Sequence, residues 1–253
     1  MTPTPSKSRI SCYLTTQIRT DTLLESQLLL LTLATGIQDA ATWPDYTCFA
    51  SNQTGNTLFL TIAVAGLSGD AYSPRNAAMS LGMFIAGGLV LGQLGLLIGE
   101  RKRIWLVISN FIQTILILVA LVLQYTLPLE TEGPIALTVI ACLAFSSGGQ
   151  VAMSRSLKIT EITTAMATAA FVDVVVDPGM LKRKNRMRNR RVLFLVALTV
   201  GCLIGAFATR RVGSSFALLW CFVGKGVVTV SFLFNEGIVK EDRAGDALES
   251  QEV

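Results

Sequence analysis

The chain has 253 residues, of which 51% are apolar and only 15% charged, with a mean hydropathy of +0.56 and a formal net charge of +4. A soluble globular domain carries about 25% charged residues. Here the charges gather in the ends and short connectors, so the composition points to an integral membrane protein embedded in the lipid bilayer. The absence of histidine removes His-based zinc and haem sites and any Ser-His-Asp triad.

No phosphate-binding loop of the G-x-x-x-x-G-K-[ST] type occurs, which argues against ATP-driven pumping by this chain. No nucleophile–base pair can be assembled, so the expectation is a protein that is not an enzyme and holds neither metal nor cofactor. Cys12, Cys48, Cys142, Cys202 and Cys221 are widely spaced and read as small apolar packers. The basic excess reads as topology-setting charge, with no nucleic-acid partner.

Residues 1–26 form a polar N-terminal tail with Lys7, Arg9 and Arg19, and no compact apolar core precedes a small-residue cleavage site, as a signal peptide would require. Residues 27–235 read as one membrane domain, and 236–253 as a polar C-terminal tail. Within the domain eight apolar segments follow in order: 27–43, 47–66, 77–99, 104–127, 134–153, 160–176, 192–210 and 213–234. A run of about 20 apolar residues spans the hydrocarbon core. The second and sixth fall short. In the second only 57–67 is strongly apolar, and the sixth is threonine-rich and interrupted by Asp173.

Lys and Arg concentrate on the cytoplasmic side, and this decides between eight spans and six. With eight, 13 basic residues lie inside and 7 outside; with the second and sixth segments dipping in and returning, the count is 17 against 3, Lys225 being set aside within a span. The expected fold is therefore an all-α polytopic bundle of about six spans plus two short dipping segments, with both ends cytoplasmic.

A shift of 112 residues sets Gly36 on Gly148, Gln38 on Gln150, Ala40 on Ala152, Ser51 on Thr163 and Phe59 on Phe171. A shift of 113 sets Gly88 and Gly92 on Gly201 and Gly205. Two halves, about 28–127 and 135–234, each with three spans and one dipping segment, would be inverted relative to each other, a common plan for transporters.

These motifs resemble the YoaK family of small membrane proteins, also called DUF1275. The resemblance rests on Gly36-Ile37-Gln38-Asp39-Ala40 followed by Asn52-Gln53-Thr54-Gly55-Asn56, and on Gly148-Gly149-Gln150-Val151-Ala152 followed by Thr163-Thr164-Ala165-Met166-Ala167-Thr168. Val151 and Ala167 depart from the Asn and Gly that the family favours. The Trp43-Pro44-Asp45 connector resembles that of fungal-type members. The resemblance covers roughly residues 27–235 and implies a polytopic membrane protein of unknown function.

The polar stretch Ser51-Asn52-Gln53-Thr54-Gly55-Asn56-Thr57 lies where membrane helix is expected. Polar backbone and amides at that depth are tolerated where they are buried in protein or line a wet cavity. The expected site is a central polar cavity faced by Asp39, Asn52, Thr54 and Asn56, with Gly55 allowing a bend. Gln150, Thr164 and Thr168 would come from the second half, and Lys225 would be the counter-charge of Asp39 or Asp173. It would take a small polar solute or ion in a secondary transporter or permease. The alternative is a non-transporting scaffold, in which these groups only lock helices together. Lys182, Arg183, Lys184, Arg186, Arg188, Arg190 and Arg191 form a basic run that would fix topology and meet anionic lipid.

Overall fold

In the computed structural model, the described residues are 9–67 and 72–238. Among them the chain is all-α, with nine helices and a closing 3-10 turn: α1 Arg9–Thr15, α2 Thr22–Tyr46, α3 Gln53–Val64, α4 Pro74–Ile98, α5 Arg103–Thr126, α6 Pro134–Ser156, α7 Ala167–Val175, α8 Arg186–Arg211, α9 Ser214–Ser231 and the turn Phe232–Phe234. Five helices are long and apolar enough to cross a membrane: α4, α5, α6, α8, and α9 with its closing turn. With α3 of 12 residues and α7 of 9, neither reaches the roughly 20 residues of a full span.

At 25 residues α2 is as long as α4, but it is not among the five. It carries Gln27, Thr32, Thr35, Gln38 and Thr42 on its buried surface and Pro44 in its last turn. Such polarity is tolerable because α2, like α6, is wrapped by other helices. The outer faces of α4 and α8 are the apolar ones, exposing Leu89, Leu94, Leu97, Val196, Leu203 and Phe207. The hydropathy pattern thus separates lipid-facing helices from the shielded centre.

The two most intimate pairs are α4 with α6 and α2 with α8. Both depend on missing side chains. A Cβ on Gly36 would run into the Leu198 carbonyl oxygen, one on Gly201 into that of Leu33, one on Gly148 into that of Phe84, and one on Gly87 into that of Phe145. Leu33 and Phe145 are themselves 112 residues apart. Gly87, not Gly88 as the 113-residue shift suggests, therefore matches Gly201. A Cβ on Gly88 would meet its nearest neighbour, the Gly148 carbonyl oxygen, only at 3.6 Å. One turn on, Gly205 clears Ile37, while in the other pair Gly149 clears the side chain of Leu91. The small residue changes helix but the close approach is kept.

The N-terminal tail is more ordered than its polarity suggests. Residues 9–15 are helical, Asp21 caps α2 by accepting from the Leu24 amide at 2.8 Å, and α2 starts at Thr22, ahead of the expected boundary. Backbone bonds run from Ile18 to Arg101, Arg19 to Glu236 and Ile238 to Gln17. Buried Arg103 stacks on the Tyr13 ring at 3.7 Å and donates to the carbonyls of Tyr13 and Asn235. Gln27 and Asn235 exchange amide hydrogen bonds of 2.8 and 3.0 Å. The start of α2, the start of α5 and the end of α9 are buckled together. The expected C-terminal tail begins within this buckle, and its remainder, 239–253, lies outside the described residues.

The basic run is also not a free connector. Its second half is the first turns of α8. Arg186 and Arg190 pair with Glu25, Arg190 also with Glu161 at 3.5 Å, and Arg191 with Asp173 and Asp177, each at 3.5 Å. Arg188 donates to the carbonyls of Met180 and Lys182. Lys182, Arg183 and Lys184 remain exposed.

The crossing geometry sets a mutational contrast. Gly148→Leu forces α6 away from the Phe84 carbonyl, and over-packing of this kind costs about 1–3 kcal/mol or more. Gly82→Ala meets no atom within 4 Å and should be neutral or gain up to about 1 kcal/mol. Thermal unfolding in detergent should show a clear loss for the first and none for the second.

Candidate functional site

Asn56 sits in the second turn of α3 and is fully buried. Its side-chain oxygen accepts from the Phe49 amide at 3.0 Å. Its nitrogen donates to the Phe49 carbonyl at 2.7 Å, to Gln53 Oε1 at 2.8 Å and to Ser80 Oγ at 3.1 Å. Gln53 donates to the Ala50 carbonyl and to Ser80, and Ser80 to Phe49. Every polar group of Asn56 is thus used to fold residues 47–52 back onto α4. Asp39 does similar work, accepting from the amide and hydroxyl of Ser51.

The expected central cavity is not formed by these residues. Asn52 is exposed and caps α3 by accepting from the Gly55 amide at 3.4 Å. Thr54 is exposed. Gly55 lies in regular helix, with no bend, and its lack of a Cβ makes room for the Phe49 ring, which a Cβ would meet at 3.1 Å. That ring belongs to a stack of Trp43, Phe49, Phe59 and Tyr72 with centroid spacings of 4.7 to 6.3 Å. In the second half, Thr164 is buried with its hydroxyl 3.4 Å from that of Ser154, and Thr168 is exposed on α7.

The two remaining candidates do meet a polar centre, elsewhere. Gln150 on α6 donates to Thr35 Oγ1 at 2.8 Å and to the Leu31 carbonyl at 3.4 Å. Gln38 on α2 donates to Ser147 Oγ at 2.8 Å and to the Leu143 carbonyl at 3.4 Å. Each member of one set lies 112 residues from its counterpart in the other: Gln38 and Gln150, Thr35 and Ser147, Leu31 and Leu143. The two amides clasp reciprocally across α2 and α6.

Lys225 lies beside this clasp, 1% exposed. Its ammonium donates to Ser146 Oγ on α6 at 2.9 Å and to Gln113 Oε1 on α5 at 3.2 Å. Among the described residues no carboxylate lies within ion-pairing distance of it. The expected pair with Asp39 does not form, because Asp39 is held by Ser51. The pair with Asp173 does not form either, because Asp173 faces Arg191 at the end of the bundle. Asn110 donates to the Lys225 carbonyl at 2.9 Å and to Thr229 Oγ1 at 2.7 Å, and the Cys221 thiol sits 3.8 Å from Gln38 Oε1. Two buried acceptors in this centre, Gln150 Oε1 and Asn110 Oδ1, have no donor.

Sequence reasoning missed Gln113, Ser146 and Asn110. One signal was available. Gln113 precedes Lys225 by the same 112 residues that separate Gln38 from Gln150.

Comparison with known proteins adds a family. The family model described as a protein of unknown function (DUF1275) matches residues 27–231. No curated protein and no solved structure gave a match. The chain belongs to the DUF1275 family.

The two polar clusters predict different mutational outcomes. Asn56→Leu strands the Phe49 amide and leaves Gln53 Oε1 without its donor, the Phe49 carbonyl keeping Ser80, and each buried unpaired group costs about 1–3 kcal/mol. The variant should accumulate poorly and melt well below the parent. Asn52→Ala removes only a helix cap, worth about 1 kcal/mol, and should accumulate normally. Fluorescence-detected size exclusion with a thermal ramp reads both.

Proposed function

We propose that this chain is a small secondary transporter or permease, moving a small polar solute or ion, whose working centre is Lys225 rather than the Asn52–Asn56 stretch. The observation that carries the reading is a fully buried ammonium held by two neutral oxygens, with no carboxylate among the described residues within ion-pairing distance. A lysine at membrane depth costs about 2.5–3.5 kcal/mol on insertion scales, and such residues by default mark a transport path or a relay. Lys225 adds little to packing that a methionine would not, so its charge is the feature to explain. A ligand anion arriving between Gln113 and Ser146, or a proton leaving Nζ, would relieve that cost. Gln150 Oε1 and Asn110 Oδ1 offer unused acceptors to the same cargo. In this reading no bond of the solute is made or broken.

The same proposal includes the topology. Six helices span, α2 among them; α3 and α7 dip and return; and the halves 28–127 and 135–234 are related by a two-fold axis in the membrane plane. The reciprocal Gln38 and Gln150 bonds and the matched glycine crossings support it. The second reading, a non-transporting scaffold, is favoured by the buried and fully hydrogen-bonded side chain of Asn56. Lys225 is what a scaffold leaves unexplained.

Two measurements follow. In a background with the five native cysteines replaced, single cysteines at 130 and 184 should label from opposite sides of the membrane; labelling from one side breaks the six-span arrangement. Purified protein in proteoliposomes should take up at least one solute from a screen of small polar compounds, and Lys225→Met should abolish uptake while melting no lower than the parent. Absence of any flux in the parent, with Lys225→Met simply more stable, would leave the scaffold.

A further inference from the structure

A cavity of about 410 Å³ opens between the end of α6, the loop 157–166, α7 and the start of α8. It does not adjoin Lys225. Its polar lining includes Arg155, Thr160, Glu161 and Arg191, and its apolar walls include Ile162 and Ala169. Ligand sites typically fall in this size range, with mostly apolar walls and a few placed polar groups.

The charges around it are unevenly committed. Glu161 faces Arg190, and Asp173 faces Arg191, which also holds Asp177. Among the described residues Arg155 has no carboxylate within ion-pairing distance; its recorded side-chain contact is the Met166 sulfur at 4.0 Å. Each carboxylate at the cavity is answered by an arginine, so the uncommitted charge is a guanidinium. A guanidinium pairs best with a planar or tetrahedral oxyanion through two parallel bonds.

The corresponding place in the first half is occupied by aromatic rings. The 112-residue register sets Trp43 against Arg155, Phe49 against Glu161 and Phe59 against Phe171. There the space is filled by stacked rings, Trp43 on Phe49 at 4.9 Å and on Phe59 at 5.3 Å. In the second half two of the three rings are replaced by an arginine and a glutamate. The loop beside the cavity is also strained. Thr164, a β-branched residue, has φ of 63° with its hydroxyl against that of Ser154, which lines the cavity. Strained residues of this kind cluster at ligand sites, where the surroundings over-determine them.

We propose that this cavity binds a small organic anion, a carboxylate or phosphate carried on a short apolar body, with Arg155 as its charge partner. The anion's oxygens meet the guanidinium and the Thr160 hydroxyl, and its apolar part lies along Ile162 and Ala169. The anion is either a free solute or the headgroup of an anionic lipid, since both present the same oxygens. The site stands whether or not the protein transports anything.

The test uses the full chain in nanodiscs. In neutral phosphatidylcholine, butanoate or methyl phosphate should bind in calorimetry and raise the melting temperature. Arg155→Met should weaken that binding about tenfold or more, as loss of charged hydrogen bonds implies. Ala169→Phe, which keeps Arg155 but fills the cavity, should also abolish it. Both positions are exposed, so both variants should fold. If instead only replacement of part of the lipid by phosphatidylserine stabilises the parent, and neither variant responds, the occupant is a lipid headgroup at the same site. Stabilisation by none of these anions, or an unchanged response in Arg155→Met or Ala169→Phe, overturns the assignment.

Discussion

At the crossings of α2 with α8 and of α4 with α6, carbonyl oxygens of one helix occupy the space where side chains of the other would stand. Lipid supplies no hydrophobic force to press two helices together, so association depends on van der Waals contact and polar bonds. Glycine maximises the first by letting backbone meet backbone. With α8 and α4 seated this closely, α2 and α6 are screened from lipid and can carry glutamine, serine and threonine on the faces they share. The amide clasp of Gln38 and Gln150, and the lysine beside it, are affordable only inside that screen. A leucine in place of Gly36 or Gly148 would disturb the polar centre as well as the crossing.

The ends of the bundle are held by a different force. The buckle around Arg103 and the arginines of α8 tie chain segments far apart in sequence, Tyr13 to Asn235 and Glu25 to Arg190. A basic segment beside a membrane attracts anionic headgroups at about 1 kcal/mol per charge, but an arginine engaged by two carboxylates has little left to offer. The charges of the run left exposed without a carboxylate among the described residues are Lys182, Arg183 and Lys184. The members of the run thus do different work, and the arginines of α8 mainly fix where α8 starts relative to α2 and α7.

Much of the architecture was legible because hydropathy and length act locally. The long apolar runs became α4, α5, α6, α8 and α9, and the two short segments became short helices. Gly36, Gly148 and Gly201 stood out in the sequence and do stand at close crossings, whereas Gly87 rather than the adjacent Gly88 meets a facing carbonyl, a difference only the packing reveals. Asn56 misled for a physical reason: an amide satisfied by a loop and an amide offered to a solute read alike in sequence. Lys225 was visible as an anomaly, but its neighbours were not, because Gln113 and Ser146 arrive from other helices. The order of residues 9–21 was hidden by their polarity, since their partners are backbone groups of Arg101 and Glu236.

The position of Lys225 gives the polar centre its direction. A dry core of amides and hydroxyls can satisfy itself, as Asn56 does with Phe49, Gln53 and Ser80. An ammonium with three donors and two neutral acceptors cannot, and removing it from water costs several kcal/mol that hydrogen bonds alone do not return. Its counterpart in the 112-residue register is Gln113, a neutral residue of similar reach that accepts one of its bonds. A neutral amide could have met these oxygens without charge, as Gln38 and Gln150 each meet a hydroxyl and a carbonyl of the facing helix one crossing away. The lysine thus places a charge at the meeting of α5, α6 and α9, where shape alone would have been served by an amide. A structural role accounts for the size of that side chain and leaves its charge unexplained.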